Sequence, residues 1–172
     1  MPDARGQDRV GAMAKKAIYS GTLGIDLKSG KETELFKWFL ACLLFGKPIQ
    51  QGVARRAYDE FVQEGLTTPQ AILRAGWDKV VDVLDRGHYV RFDFSTTTKL
   101  LEVSRTLIEQ YGTLSNLFKL SKARPDLLRR LQAFKGVGPT TARIFLRDAG
   151  AVFLPGNAAR PGHRSGRPCG GG

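Results

Sequence analysis

A chain of 172 residues is long enough for one domain with a sizeable core, or for two small lobes sharing one. Its longest apolar run, Trp38–Phe45, is far too short to span a bilayer, and the polar stretch through Gly30 lacks the apolar centre of a secretory signal, so a cytoplasmic protein is expected, nucleoid-associated in a bacterium. The net charge of +11 and a pI near 10.1 favour polyanionic partners, nucleic acid or an anionic surface.

Residues Met1–Ala17 mix charges with Gly and Ala without apolar periodicity and are expected to be disordered. Glu32 and Glu34 then precede Leu35–Phe45, whose only polar members are Lys37 and Cys42. A segment apolar on nearly all sides predicts a central buried helix, with the two acids at its positive end and Gly46-Lys47-Pro48 closing it. Val53, Ala57 and Phe61 recur every four residues and predict an amphipathic helix over 50–64.

Thr68-Pro69 has the form of an N-cap followed by proline at the first helical position, so a short helix is expected to Arg74. Trp77, Val80, Val81 and Leu84 mark another helix, closed by Gly87, with Trp77 and Trp38 expected as core anchors. His88 reads as a turn residue. Tyr89–Phe94 alternates like a strand but has no partner strand, so it is expected as an extended connection whose aromatics pack between helices. Thr96–Thr98 are placed to cap a longer helix ending at Gly112, and Thr113–Leu120 reads as a helical turn. The fold expected is all-α, a bundle of seven to eight helices spanning 18–150. From Gly150 onward the chain holds seven Gly, three Pro and three Arg with no acid, and residues 151–172 are expected to form a disordered tail.

Cys42 lies in the most apolar stretch and Cys169 in the glycine-rich tail, so no disulfide is expected. With no C-x-x-C and only His88 and His163, neither a zinc site nor an iron-sulfur cluster is supported, and no cofactor or metal is expected.

The positive charge is concentrated. From Lys119 to Gly150 there are eight Lys or Arg against Asp126 and Asp148. Within this basic segment two apolar stripes, Leu127/Leu128/Leu131/Phe134 and Ala142/Phe145/Leu146/Ala149, flank Lys135-Gly136-Val137-Gly138-Pro139. Two glycines permit positive φ and close backbone approach, and Val137 between them can plug the groove between the helices. Pro139 at the first helical position forgoes a hydrogen bond that no helix makes there. The free amides of the turn, with those of Thr140 and Thr141, then face outward beside the positive end of a helix, an arrangement suited to one backbone phosphate. Lys135, Arg143 and Arg147 stand near enough to add charge.

Phe134-Lys-Gly-Val-Gly-Pro-Thr-Thr-Ala-Arg143 resembles the helix-hairpin-helix of the DNA glycosylase superfamily, nearest its endonuclease III-like branch. Leu40–Phe61 and Trp77–Tyr111 resemble, less distinctively, the helices and loops that precede the hairpin in that family, so the likeness covers roughly residues 30–150. The resemblance implies a glycosylase-like helical domain, double-stranded DNA as partner with base-excision repair as the setting, and Lys47, Gln50 and Gln51 facing the duplex. It does not carry over the catalytic groups. The lysine nucleophile of bifunctional members is matched by Thr140, which cannot form a Schiff base. The family's aspartate falls near Ala158, where there is no acid, and the cluster cysteines are absent.

The first reading is therefore a protein that grips the phosphate backbone of duplex DNA, possessing the family's fold without its recognisable catalytic residues. The site residues expected are Lys135, Gly136, Val137, Gly138, Pro139, Thr140, Thr141 and Arg143, with Lys47 and Gln51. The alternatives are a divergent or C-terminally altered glycosylase or abasic-site lyase, drawing its acid from Asp85, Asp93 or Asp148, and a scaffold whose basic face binds an acidic protein or membrane.

Overall fold

A computed structural model describes residues 18–154. Among these residues there are seven α-helices and no strand, and no helix is long and apolar enough to cross a membrane. The helices are α1 (Glu32–Phe45), α2 (Gln51–Gln63), α3 (Pro69–Arg86), α4 (Asp93–Gln110), α5 (Leu114–Leu120), α6 (Arg124–Gln132) and α7 (Pro139–Phe153). Two short 3-10 turns precede α1 and a third, Val90–Phe92, leads into α4. The expectations for Met1–Ala17, His163, Cys169 and the position near Ala158 lie outside the described residues.

The apolar run forms the centre, as its composition requires. Leu35, Phe36 and every residue from Trp38 to Leu44 are buried, and α1 packs against α2, α4, α5 and α7. Each large side chain so buried contributes on the order of 1.5–3 kcal/mol. Two of its polar side chains are paired across long sequence distances. Trp38 Nε1 donates to the Phe145 carbonyl of α7 at 3.1 Å, and the Tyr89 hydroxyl donates to the Leu44 carbonyl. Cys42 is buried and unbridged, with burial raising its thiol well above the ordinary range.

Glu32 serves two helices. It stands in the first turn of α1, and its carboxylate accepts from the amides of Leu114 and Ser115 at 2.7 and 3.0 Å and from the Ser115 hydroxyl at 2.7 Å. It thereby supplies acceptors to the exposed donors at the start of α5. Glu32→Ala is expected to lower stability by about 2 kcal/mol, the range for losing charge-assisted hydrogen bonds at a helix start. A urea unfolding midpoint unchanged in this variant would contradict that role.

Several expectations hold. Thr68 Oγ1 accepts from the Ala71 amide, so it acts as the expected N-cap, and Leu114–Leu120 is helical, with Thr113 Oγ1 accepting from the Asn116 amide. Gly76 (φ 83°, ψ 174°) interrupts α3, separating the two short helices read around it. His88 sits in a turn with φ 67°. Four expectations fail. Trp77 is 41% exposed rather than a core anchor, because the break at Gly76 leaves it in the first turn of the second segment, beyond the buried stripe of Val80, Val83 and Leu84. Tyr89–Phe94 is not extended: it turns through a 3-10 segment into α4, burying Tyr89 while leaving Phe94 62% exposed against Trp77. Thr96 and Thr97 do not cap α4, which begins at Asp93; both lie buried within it. Finally, α7 continues through Phe153, and Leu154 is buried, so the folded region passes the boundary expected after Gly150.

Candidate functional site

The turn between α6 and α7 is held from below by aromatic packing. Phe134 is buried edge-on against Phe39 of α1 and tilted against Tyr111, with ring centroids 6.2 Å apart in each pair. Val137 is buried, and its amide donates to the Phe134 carbonyl at 3.1 Å, closing the turn as its place between two glycines predicted. Pro139 occupies the first turn of α7.

The two glycines have different reasons to be glycine. Gly136 has φ +88°, and a Cβ there would stand 2.7, 3.0 and 3.2 Å from Cγ, Cδ and Cε of Lys99. The left-handed conformation disfavours a side chain at that position, and one placed there would also push the Lys99 stem aside. Gly138 is the N-cap of α7 in ordinary extended geometry (φ −91°, ψ 177°), and a Cβ there would meet nothing within 4 Å. Nothing inside the fold demands glycine at 138.

The amides behind this open face lack acceptors. The first amide of α7 to find a carbonyl is that of Ala142, which donates to Gly138 O at 3.0 Å. Those of Thr140 and Thr141 precede it in the first helical turn, where no upstream carbonyl is available, and among the described residues the Gly136 and Gly138 amides have no acceptor either. Lys135, Gly136, Pro139 and Thr140 are exposed. The surface thus presents several N–H groups beside the positive end of a 15-residue helix.

Lys47 and Gln51, distant in sequence, come to the same face. A cleft of about 870 Å³ lies between the α1–α2 turn and α7, lined by Gly46–Gln51 on one side and by Thr140, Ile144 and Arg147 on the other. Thr141 secures the junction: its Oγ1 lies 2.8 Å from where a Cβ on Gly46 would stand. Lys135 Nζ is 3.7 Å from Glu102 and otherwise open to solvent, and Arg143 is exposed. Arg147 is not available in the same way. It bonds Asp148 Oδ1 and the Ile18 carbonyl and stacks 4.0 Å from the centroid of Tyr19, so it ties the N-terminal segment to α7.

Of the three candidate acids, Asp148 adjoins the cleft through its bond to Arg147, while Asp85 and Asp93 lie elsewhere. Asp148 accepts from the Ser20 amide and from Arg147, which hold its carboxyl below the usual range despite burial. Asp85 and Asp93 face each other at the α3–α4 junction; burial, then the neighbouring Asp93 carboxyl, raises Asp85 above the usual range. None of the three, and no other carboxylate, lines the cleft among the described residues.

Two groups at the site escaped sequence reasoning. Lys99 of α4 lies across Gly136, and Phe92 carries two cations, Lys47 Nζ and the Arg91 guanidinium, each 5.3 Å from its ring centroid. The available signal for Phe92 was its place beside Arg91 in the aromatic-rich segment Tyr89–Phe94. Lys99 gave none. The chain matches no family model, no curated protein and no solved structure.

Proposed function

We propose that this protein binds duplex DNA through its sugar-phosphate backbone, with the turn Lys135–Thr141 acting as a helix-hairpin-helix and its amides donating to one phosphate. The observation that carries the reading is Gly138: a glycine at a helix N-cap, with open space in front of it and unaccepted amides around it. Asn, Asp or Ser would cap the helix better by a few tenths of a kcal/mol, and at this position no side chain does so. A bare backbone there is what an incoming phosphate oxygen needs.

Lys47, Lys135, Arg143 and Gln51 surround the turn and add charge and hydrogen-bond donors on the same side. Amide and lysine contacts to phosphate carry no base information, so binding is largely independent of sequence. Base-excision repair is the setting that the motif's resemblance suggests. An excision activity requires a carboxylate beside the bound nucleotide, and none of Asp85, Asp93 and Asp148 lines the cleft, Asp148 being engaged by Arg147 and the Ser20 amide.

Fluorescence-anisotropy titration of a labelled duplex across a salt series tests the proposal. The expected dissociation constant is on the order of 10⁻⁴–10⁻⁶ M at physiological salt, weakening steeply as salt rises because counterions are released from the DNA. Binding indifferent to salt would overturn it.

A further inference from the structure

Lysines placed side by side normally have carboxylates between them. At the edge of the α6–α7 turn this does not hold. Lys99 runs its aliphatic stem over Gly136, and Lys47, from the α1–α2 turn, lines the cleft that Thr140 of α7 also lines, its Nζ on the Phe92 ring. Among the described residues neither has a carboxylate within ion-pair distance. The acids on the same helix are engaged elsewhere: Glu102 pairs with Lys135, and Asp93 accepts from the Phe94 amide and faces Asp85. Arg91, also 5.3 Å from the Phe92 centroid, adds a third cation.

We infer that Lys99 and Lys47 form a second anion-binding point beside the turn, which takes a phosphodiester neighbouring the one held by the turn's amides. The inference rests on the proposed DNA binding and extends it to a two-phosphate grip. Two cations held together without a counter-charge repel each other in the free protein, and an incoming phosphate relieves that repulsion. Burial first, and the neighbouring Lys47 charge second, lower Lys99 to about 8. The charged groups facing it are Lys47 from the α1–α2 turn, Lys135 from the α6–α7 turn and Glu102 from its own helix, and Glu102 is already bridged to Lys135. A phosphate between Lys47 and Lys99 restores the ordinary preference of Lys99 for its proton, so DNA binding takes up a proton wherever the free amine is partly neutral.

The test is duplex anisotropy at pH 7 and pH 9 across a KCl series, on the wild type, Lys99→Met, Lys47→Met and Gly138→Asp. The wild type should bind about tenfold more tightly at pH 7 than at pH 9, the ratio given by a lysine near 8 in the free protein that stays protonated in the complex. Lys99→Met should lose most of that pH dependence. Each lysine variant should flatten the log–log salt slope by about 0.9, one phosphate contact's share. Lys99→Met removes a half-buried charge, so its melting temperature should equal or exceed that of the wild type, separating lost binding from lost folding. A Lys99→Met protein retaining the wild-type slope and pH dependence, while Gly138→Asp loses binding, overturns the second point and leaves the turn standing. Loss of binding in the lysine variants with none in Gly138→Asp supports the second point and refutes the turn's role. No duplex binding by the wild type refutes both.

Discussion

Gly138→Asp is expected to fold at least as stably as the wild type and to bind duplex DNA about a hundredfold more weakly. The two halves of this expectation have separate causes. Gly138 is the N-cap of α7, in the extended geometry of a capping residue, and no side chain caps that helix. Aspartate there supplies an acceptor for the free amides and a negative charge at the helix's positive end, a change expected to add a few tenths of a kcal/mol. A Cβ at 138 meets nothing within 4 Å, so no packing opposes the substitution. The same carboxylate would occupy the amides proposed for phosphate and place like charge against the DNA. Thermal melting and duplex titration on one preparation check both halves. Gly136→Ala is a poorer probe, because its φ of +88° and the Lys99 stem make it a defect of the turn itself. A Gly138→Asp protein that binds as the wild type does would show that the turn's amides do not contact the duplex.

Gly87→Ala is expected to cost about 3 kcal/mol and to lower the melting temperature by about 10 °C. A methyl group at this position would stand 2.6 Å from Ala57 Cα and 2.7 Å from Ala57 N. These are backbone atoms of α2, so no rotamer change relieves the contact and the end of α3 must move away from α2. That movement would disturb the neighbouring Tyr89, whose hydroxyl pairs with the Leu44 carbonyl in the core. Gly52 gives the contrast: it lies in the first turn of α2 with open space around its Cβ position, so Gly52→Ala should leave stability unchanged or raise it by about 0.5–1 kcal/mol. Equal melting temperatures for the two variants would contradict the close approach at Gly87.

Much of the fold is legible in the sequence because its signals are local. The apolar 35–45 segment has no stable place except the centre of a bundle, and Thr68-Pro69 announces a helix start through a hydroxyl that bonds only a few residues ahead. The turn at 135–139 is legible for the same reason: glycine, valine, glycine and proline each satisfy a backbone requirement within five residues. Misreadings arose where tertiary packing decides. Trp77 fits the apolar stripe of Val80 and Leu84 but stands at the end where the stripe leaves the core. Val90, Phe92 and Phe94 alternate as a strand does, yet without a partner strand the segment gains more by turning into α4. Gly87 reads as a helix stop, while its larger role, admitting the backbone of α2, depends on a residue 30 positions earlier. Lys99 is hidden for the same reason, as one polar residue on an amphipathic helix until α4 is laid against the turn.

The central claim, that the amides of this turn hold a DNA phosphate, is tested most directly by following backbone amide resonances while a short unmodified duplex is added to ¹⁵N-labelled protein. The amides of Gly136, Gly138, Thr140 and Thr141 should shift first and furthest, with smaller shifts near Lys47 and Lys99 and little change on the exposed Trp77–Phe94 face. Shifts centred on Trp77 and Phe94 with the turn unmoved, or no shifts at low salt, would contradict it.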